Sequence, residues 1–255
     1  MDMIVDLEQI TPGSAGSRTV PACPSRPKSD PSCEQCAVRA RAICSDLDEP
    51  DLAALRRLGR RVSLAAGQTV MWEGDDSTVV ANVIAGTLKL STSTGGGREQ
   101  IVGVIYASDF IGRPFGARTP HSVTALTDAH LCLFPRSAFD HFARDHGALQ
   151  HRLLRRTLDD LDRTRGWLLL LGRKNAQEKM ATFLLDVSRR LQLDRTGRFE
   201  LPLSRQQIAD ILGLTIETVS RQMSEMKRLA LIAVEGRRGI RILDREKLAC
   251  LAEGH

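Results

Sequence analysis

The sequence predicts an α+β fold in which a jelly-roll-type antiparallel β-barrel precedes a long helix and a smaller, mostly helical C-terminal domain. Three observations carry that reading. Short β-rich runs punctuated by glycine fill residues 61–135, a leucine stripe at helical spacing follows, and two capped helical segments joined by a glycine lie near the C-terminus. At 255 residues the chain can hold one large domain or two modest ones. Its 42% hydrophobic and 26% charged content are ordinary for a soluble globular protein, and only 4% aromatics points to aliphatic cores.

Residues 1–32 mix Pro, Ser, Gly and Thr with a few charges and are expected to form a flexible arm that buries little. The stretch Cys33-Glu34-Gln35-Cys36-Ala37-Val38-Arg39-Ala40-Arg41-Ala42-Ile43-Cys44 follows, with three of six cysteines in a C-x2-C-x7-C pattern. Thiolates so close together can converge on one soft metal centre, but a structural zinc or an iron–sulfur cluster usually takes four protein ligands. Alone, the stretch is an incomplete site. The N-terminus, Met1-Asp2-Met3-Ile4-Val5-Asp6, lacks the basic start and apolar core of a secretory signal, and no run of 18 apolar residues exists. A cytoplasmic chain with no membrane contact is expected, and there clustered cysteines read as metal ligands or redox groups rather than disulfides.

Asp48 to Leu58 reads as a short amphipathic helix with acidic residues in its first turn. The barrel comes next. Val79 to Ser91 contains two β-rich runs bent at Gly86, and Gly95-Gly96-Gly97 is a hairpin turn into the strand Glu99 to Tyr106. Val123 to Leu126 and Leu131 to Phe134 are expected to close the barrel, so that residues 33–140 form one sensory unit.

A long helix is expected over 141–173. Leu154, Leu158, Leu161 and Leu168 fall at spacings of 4, 3 and 7, a stripe narrow enough for the two-helix seam of a parallel homodimer. The same stripe could pack on the chain's own barrel, and pattern alone does not separate the two. Asp159 and Arg163 are spaced for an i,i+4 ion pair. Gly172 is expected to end the helix or mark a hinge, and Asn175 with Glu178 reads as the cap of a fresh one. That helix should bury Met180, Phe183, Leu184, Val187 and Leu191 within a domain spanning 174–255.

The most specific motif runs from Leu203 to Arg221. Ser204 with Gln207 makes a capping box for a helix ending at Gly213, and a second helix begins near Thr215 with Ile216, Val219, Met223 and Met226 facing inward. Two helices joined by a tight glycine turn are the helix-turn-helix arrangement. Glu217, Ser220 and Arg221 share the outward face where a recognition helix meets base edges: Arg can donate bidentately to guanine, Glu can accept from cytosine, and Ser can serve either. Ser204, Thr215 and Thr218 are candidate contacts beside them. Ala233 to Ile242 reads as a two-stranded wing whose Arg237 and Arg238 can reach phosphate. Charge agrees. Residues 1–50 carry 5 Lys+Arg against 8 Asp+Glu, residues 51–150 carry 10 against 9, and residues 151–255 carry 21 against 14, favouring double-stranded DNA as partner of the C-terminal part. No nucleophile–base pair, phosphate-cradling loop or paired-carboxylate motif supports an enzyme.

The whole order, over roughly residues 30–248, resembles the Crp/Fnr family of bacterial transcription regulators. Asn82-Val83-Ile84-Ala85-Gly86-Thr87-Leu88-Lys89-Leu90 is similar to the glycine-bent strand pair of that family's cyclic-nucleotide-type barrel. Glu217-Thr218-Val219-Ser220-Arg221 matches the E-x-x-S-R signature of its Fnr branch, and Leu169 to Lys179 is similar to the same branch. The resemblance implies a homodimer reading palindromic sites built of TTGAT-like half-sites, with RNA polymerase as partner. The phosphate-binding Gly-Glu pair of the cyclic-AMP-binding members has no counterpart before Arg118-Thr119, which argues against a cyclic nucleotide ligand. The resemblance implies instead an oxygen-sensing [4Fe-4S] cluster. Cys33, Cys36 and Cys44 match the N-terminal ligands, in a spacing like that of alphaproteobacterial relatives, and Cys132 matches the barrel ligand. Cys23 is a weaker candidate and Cys250 reads as incidental. A structural zinc in the same four cysteines, or a barrel that binds a small molecule, are the competing expectations.

Overall fold

A computed structural model describes residues 33–93, 95, 99–191 and 193–254. Cys23, the expected flexible arm and most of the Gly95-Gly96-Gly97 turn lie outside the described residues. The chain opens with two 3-10 turns, Cys33–Gln35 and Arg39–Arg41, followed by α1 (Glu49–Leu58). The carboxylate of Asp48 accepts from the Asp51 amide and so caps α1.

Eight strands follow: β1 (Arg60–Leu64), β2 (Thr69–Met71), β3 (Val79–Ala85), β4 (Leu88–Ser93), β5 (Glu99–Ile105), β6 (Phe110–Ile111), β7 (Ser122–Ala125) and β8 (Ala129–Pro135). They form two antiparallel four-stranded sheets, in the orders β1-β8-β3-β6 and β2-β7-β4-β5. Val83, Leu88, Ile111, Val123, Leu131 and Leu133 fill the space between them. The chain crosses from one sheet to the other at Gly86, whose φ is 89°. A Cβ there would lie 2.4 Å from the Asp128 carbonyl oxygen, so glycine is required by both backbone conformation and close approach.

The helical region begins with α2 (Arg136–Asp145) and α3 (Gly147–Arg173). The helix expected from residue 141 is therefore broken. His146, at φ −121° and ψ 88°, separates the two, with its ring stacked on Phe142 at 3.7 Å. Gly172 does not end α3, which continues to Arg173. The expected Asp159–Arg163 pair is also replaced: Arg163 reaches Asp160 at 3.2 Å, and Asp159 faces a cleft shared with Arg41, Arg152 and Arg155. Spacings of three and four both bring side chains together on a helix, and the arginine-lined cleft competes for Asp159.

Leu154, Leu158, Leu161 and Leu168 are 57%, 51%, 43% and 67% exposed. Leu154 borders a cleft with Phe110, Gly112 and Phe115 of the barrel, yet all four leucines stay largely uncovered by the chain itself. The stripe from Leu154 to Leu168 runs about 21 Å along α3 at 1.5 Å per residue, on a face that the chain itself leaves largely uncovered.

The C-terminal part comprises α4 (Ala176–Arg190), β9 (Arg198–Glu200), α5 (Arg205–Leu212), α6 (Ile216–Arg228), β10 (Ile232–Glu235), β11 (Gly239–Ile242) and α7 (Arg245–Ala252). Asn175/Glu178 and Ser204/Gln207 both form full capping boxes. The wing gains a third strand, in the order β10-β11-β9. Met180, Phe183, Leu184 and Val187 are buried as expected, whereas Leu191, which caps the end of α4, is only partly buried, and Ile216, in the first turn of α6, is 39% exposed rather than inward. The barrel and this domain touch: Ile101 of β5 joins the C-terminal core, and the Gln100 side chain donates to the Asp210 carbonyl. No described helix is long and apolar enough to cross a membrane.

Candidate metal centre and nucleic-acid interface

Strand parity decides where the barrel cysteine points. Ala129, Leu131 and Leu133 of β8 face the barrel core, so Cys132 and Phe134 face outward. The cysteine-bearing arm covers that outward face. Ile43 and Leu47 are buried there with Leu52 and Leu55 of α1, Val80 of β3 and Phe139 of α2. Each such side chain contributes about 1.5–3 kcal/mol by leaving water.

This packing brings all four expected cysteines together. Cys33, Cys36, Cys44 and Cys132 line one cavity of about 70 Å³, with Arg56, Arg61, Asn82 and Phe134 among its other walls. One water needs only about 10–15 Å³ of such space, so the cavity holds more than a single small ion. Across the sheet Cys132 pairs with Arg61 on one side and Asn82 on the other. Among the described residues, no three His, Cys, Asp or Glu side chains converge closely enough to hold one metal ion.

Burial raises the Cys132 thiol to about 12 and the Cys44 thiol to about 11, and the neighbouring cysteines push both the same way. Burial also raises Cys33, opposed by the Arg56 guanidinium. Free of metal, these sulfurs keep their protons at neutral pH, and a bound metal must displace them. The sequence did not single out Asn82, Arg56 or Arg61. The available signal was a lone amide inside the apolar run Val79-Val80-Ala81-Asn82-Val83-Ile84. Its Oδ1 is buried without a hydrogen-bond partner. Cys250 sits exposed on α7, away from this cavity.

Polar contacts tie the arm to the long helix. Arg152 Nη2 and Arg156 Nη1, both on α3, donate to the Arg41 carbonyl at 3.3 and 3.0 Å. The same Arg156 pairs through Nη2 with Asp109, at the turn before β6, at 2.5 Å. Arg190 of α4 lies 4.0 Å from the second Asp109 oxygen. Arm, barrel, α3 and the first helix of the C-terminal domain thus meet around Arg156 and Asp109.

At the other end, α5 and α6 join through Gly213 at φ 61° and ψ 42°, the left-handed conformation that favours glycine. Val219, Met223 and Met226 bury the inner face of α6, leaving Glu217, Ser220 and Arg221 exposed on the outer one. Thr215 caps α6 by accepting from the Thr218 amide, and Ser204 caps α5 by accepting from the Gln207 amide. Both remain on the surface. Arg237 and Arg238 are exposed in the turn between β10 and β11. The Arg118 guanidinium donates to the Gly74 carbonyl, so this group is engaged within the loop.

A sensory-type barrel, a leucine-striped helix and a winged helix-turn-helix in this order define a DNA-binding regulator, not an enzyme. Residues 61–146 match the cyclic nucleotide-binding domain and residues 178–251 the Crp-like helix-turn-helix domain. The chain is 43% identical over 222 residues to the transcriptional activator protein FnrL of Cereibacter sphaeroides, covering 85% of this chain and 90% of that one. It is 39% identical over 223 residues to the nitrogen fixation regulation protein FixK of Bradyrhizobium diazoefficiens, covering 86% and 93%. The crystallised FixK2 of Bradyrhizobium japonicum superimposes with a TM-score of 0.72 at 31% identity, covering 76% of this chain and 96% of that one. The chain belongs to the Crp/Fnr family of transcription regulators.

Metal-free protein should reveal the buried thiols by their reactivity. At pH 7 iodoacetamide should modify Cys250 well before Cys132 and Cys44. The Cys132 rate should climb about tenfold per pH unit between pH 7 and 9, as the thiolate fraction of a raised thiol does. Peptide mass spectrometry of timed quenches checks both, and a Cys132 as fast as Cys250 at pH 7 contradicts the geometry.

Proposed function

We propose that this chain is an oxygen-responsive regulator of anaerobic or microaerobic genes, in which Cys33, Cys36, Cys44 and Cys132 hold a [4Fe-4S] cluster. The observation that supports it most is the shared cavity: three thiols from the arm and one from the barrel line the same space. An all-sulfur donor set of four suits such a cluster, and the relatives named FnrL and, in Salmonella typhi, fumarate and nitrate reduction regulatory protein accord with it. When bound, the cluster supplies an oxygen-labile link between arm and barrel.

The chain's own residues carry the consequence. Ligation by Cys33, Cys36 and Cys44 holds the arm against β8, and with it the Arg41 carbonyl that Arg152 and Arg156 grip. Those arginines orient α3, whose Leu154, Leu158, Leu161 and Leu168 form the seam of a parallel homodimer. The dimer sets two α6 helices about 34 Å apart, one DNA turn, on a palindrome of TTGAT-type half-sites. Glu217, Ser220 and Arg221 read base edges. Thr215, Thr218, Ser204, Arg237 and Arg238 hold the backbone. In this reading residues 1–32 are an N-terminal extension ahead of the cysteine-bearing arm, 33–140 the sensor that includes that arm, 141–173 the dimerisation segment and 174–255 the DNA-binding domain, with RNA polymerase as the protein partner.

Protein purified without oxygen should be brown, contain iron and acid-labile sulfide in equal amounts, and bleach in air as it releases DNA. A colourless protein with one zinc per chain would refute the cluster. Arg221→Ala should lose about 1–3 kcal/mol on TTGAT-type sites and little on random DNA; equal losses on both in salt-matched titrations would assign Arg221 to phosphate alone. Arg156→Leu should keep iron and sulfide yet narrow the difference in DNA affinity between anaerobic and air-exposed protein. An undiminished difference would mean that the arm is coupled to α3 by another route.

A further inference from the structure

Asn82 is out of place by every local criterion. It sits in the middle of β3, where asparagine is disfavoured, at 3% exposure. Its cross-strand neighbours are Cys132 on β8 and Phe110 on β6, and the outer-face cluster around it is apolar. Its Oδ1 is buried and has no hydrogen-bond partner. A buried polar group left in this state destabilises the fold, and native structures rarely keep one without use. What it faces is the cavity lined by the four cysteines.

The carboxamide is well suited to that position. A half-turn of the side chain exchanges Oδ1 for Nδ2 and presents two N–H donors where the acceptor now lies. The nearest partner across the sheet is Cys132, whose sulfur accepts hydrogen bonds once deprotonated by a metal. We propose that Asn82 is a positioning residue of this site: its carboxamide donates to the Cys132 sulfur, or to the bound centre beside it, and so sets the centre's reduction potential and its lifetime in air. The assignment rests on the iron–sulfur reading above. Hydrogen bonds to ligating sulfurs stabilise the more negative, reduced state, so they raise the potential. The carboxamide whose oxygen finds no protein partner is thus the group placed to serve that centre.

Two variants of nearly equal shape isolate the donor. Asn82→Val removes it and Asn82→Thr keeps one O–H; both suit a strand. Full-length protein is reconstituted anaerobically with iron and sulfide, and dye-mediated titration gives the potential. N82V should favour the oxidised state about tenfold more than the native protein, a fall of about 59 mV for one electron, and should bleach several-fold faster in air. N82T should recover part of both. Equal potentials and bleaching rates in all three proteins overturn the proposal while leaving the cluster intact. A native protein that takes up no iron and sulfide overturns the cluster reading itself, and the Asn82 assignment with it. A second readout needs no cluster: N82V prepared without metal should melt above the native protein treated alike, because it deletes a buried carboxamide oxygen that no protein group satisfies. A lower melting temperature would make Asn82 a structural residue and overturn the proposal.

Discussion

The outer face of the sheet β1-β8-β3-β6 carries an apolar patch around Val80, Phe110 and Phe134, and the need to cover it organises the molecule. Antiparallel sheets commonly leave one face to water. Here Val80, Phe134 and the partly buried Cys132 require cover, and the arm, α1, α2 and the first turns of α3 supply it. Ile43, Phe139 and Leu149, from three different elements, are all fully buried in this one cluster. The four cysteines meet because the elements carrying them share that cover. The start of the long helix lies in the same cluster, so any change in how the arm sits is felt there through packing.

The polar layer around Arg156 adds direction to that packing more than stability. Arg156 and Asp109 are each only about one-fifth exposed, so the cost of taking two charges out of water offsets much of their attraction. Their value is positional. One guanidinium grips the arm through the Arg41 carbonyl and the barrel through Asp109, and Asp109 in turn faces Arg190 of α4. On the other side of α3 the leucine stripe stays in solvent within a single chain. Apolar surfaces of this kind are rarely left uncovered, which is the physical ground for the proposed seam with a second copy.

Local chemistry was legible without the structure wherever it acts over a few residues. The Asn175/Glu178 and Ser204/Gln207 capping boxes, the left-handed Gly213 and the bend at Gly86 all stand where their residue types place them. The departures share one cause, competition from groups distant in sequence or from chain geometry at an element's end. Arg163 turns to Asp160 while Asp159 faces an arginine-lined cleft, the long helix starts only after His146 folds onto Phe142, and Ile216 lies on an outer first turn. Asn82 was silent for a different reason. An asparagine in an apolar run announces nothing until its missing partner and the cavity it faces are known.

By itself the sequence determined the kinds of element, their order, and the helix-turn-helix with its exposed polar triplet, because caps, glycine turns and periodicity are short-range physics. It also supplied three clustered thiols and, through family resemblance, the identity of a fourth. Only the tertiary structure decided that Cys132 faces outward to meet them, since the side of a strand depends on which face packs into the core. It also decided that Leu154, Leu158, Leu161 and Leu168 are exposed, that Arg156 joins arm to barrel, and that a carboxamide oxygen with no protein partner lies beside the cysteines. Each of these is a relation between segments far apart in the chain, and no spacing rule reaches that far.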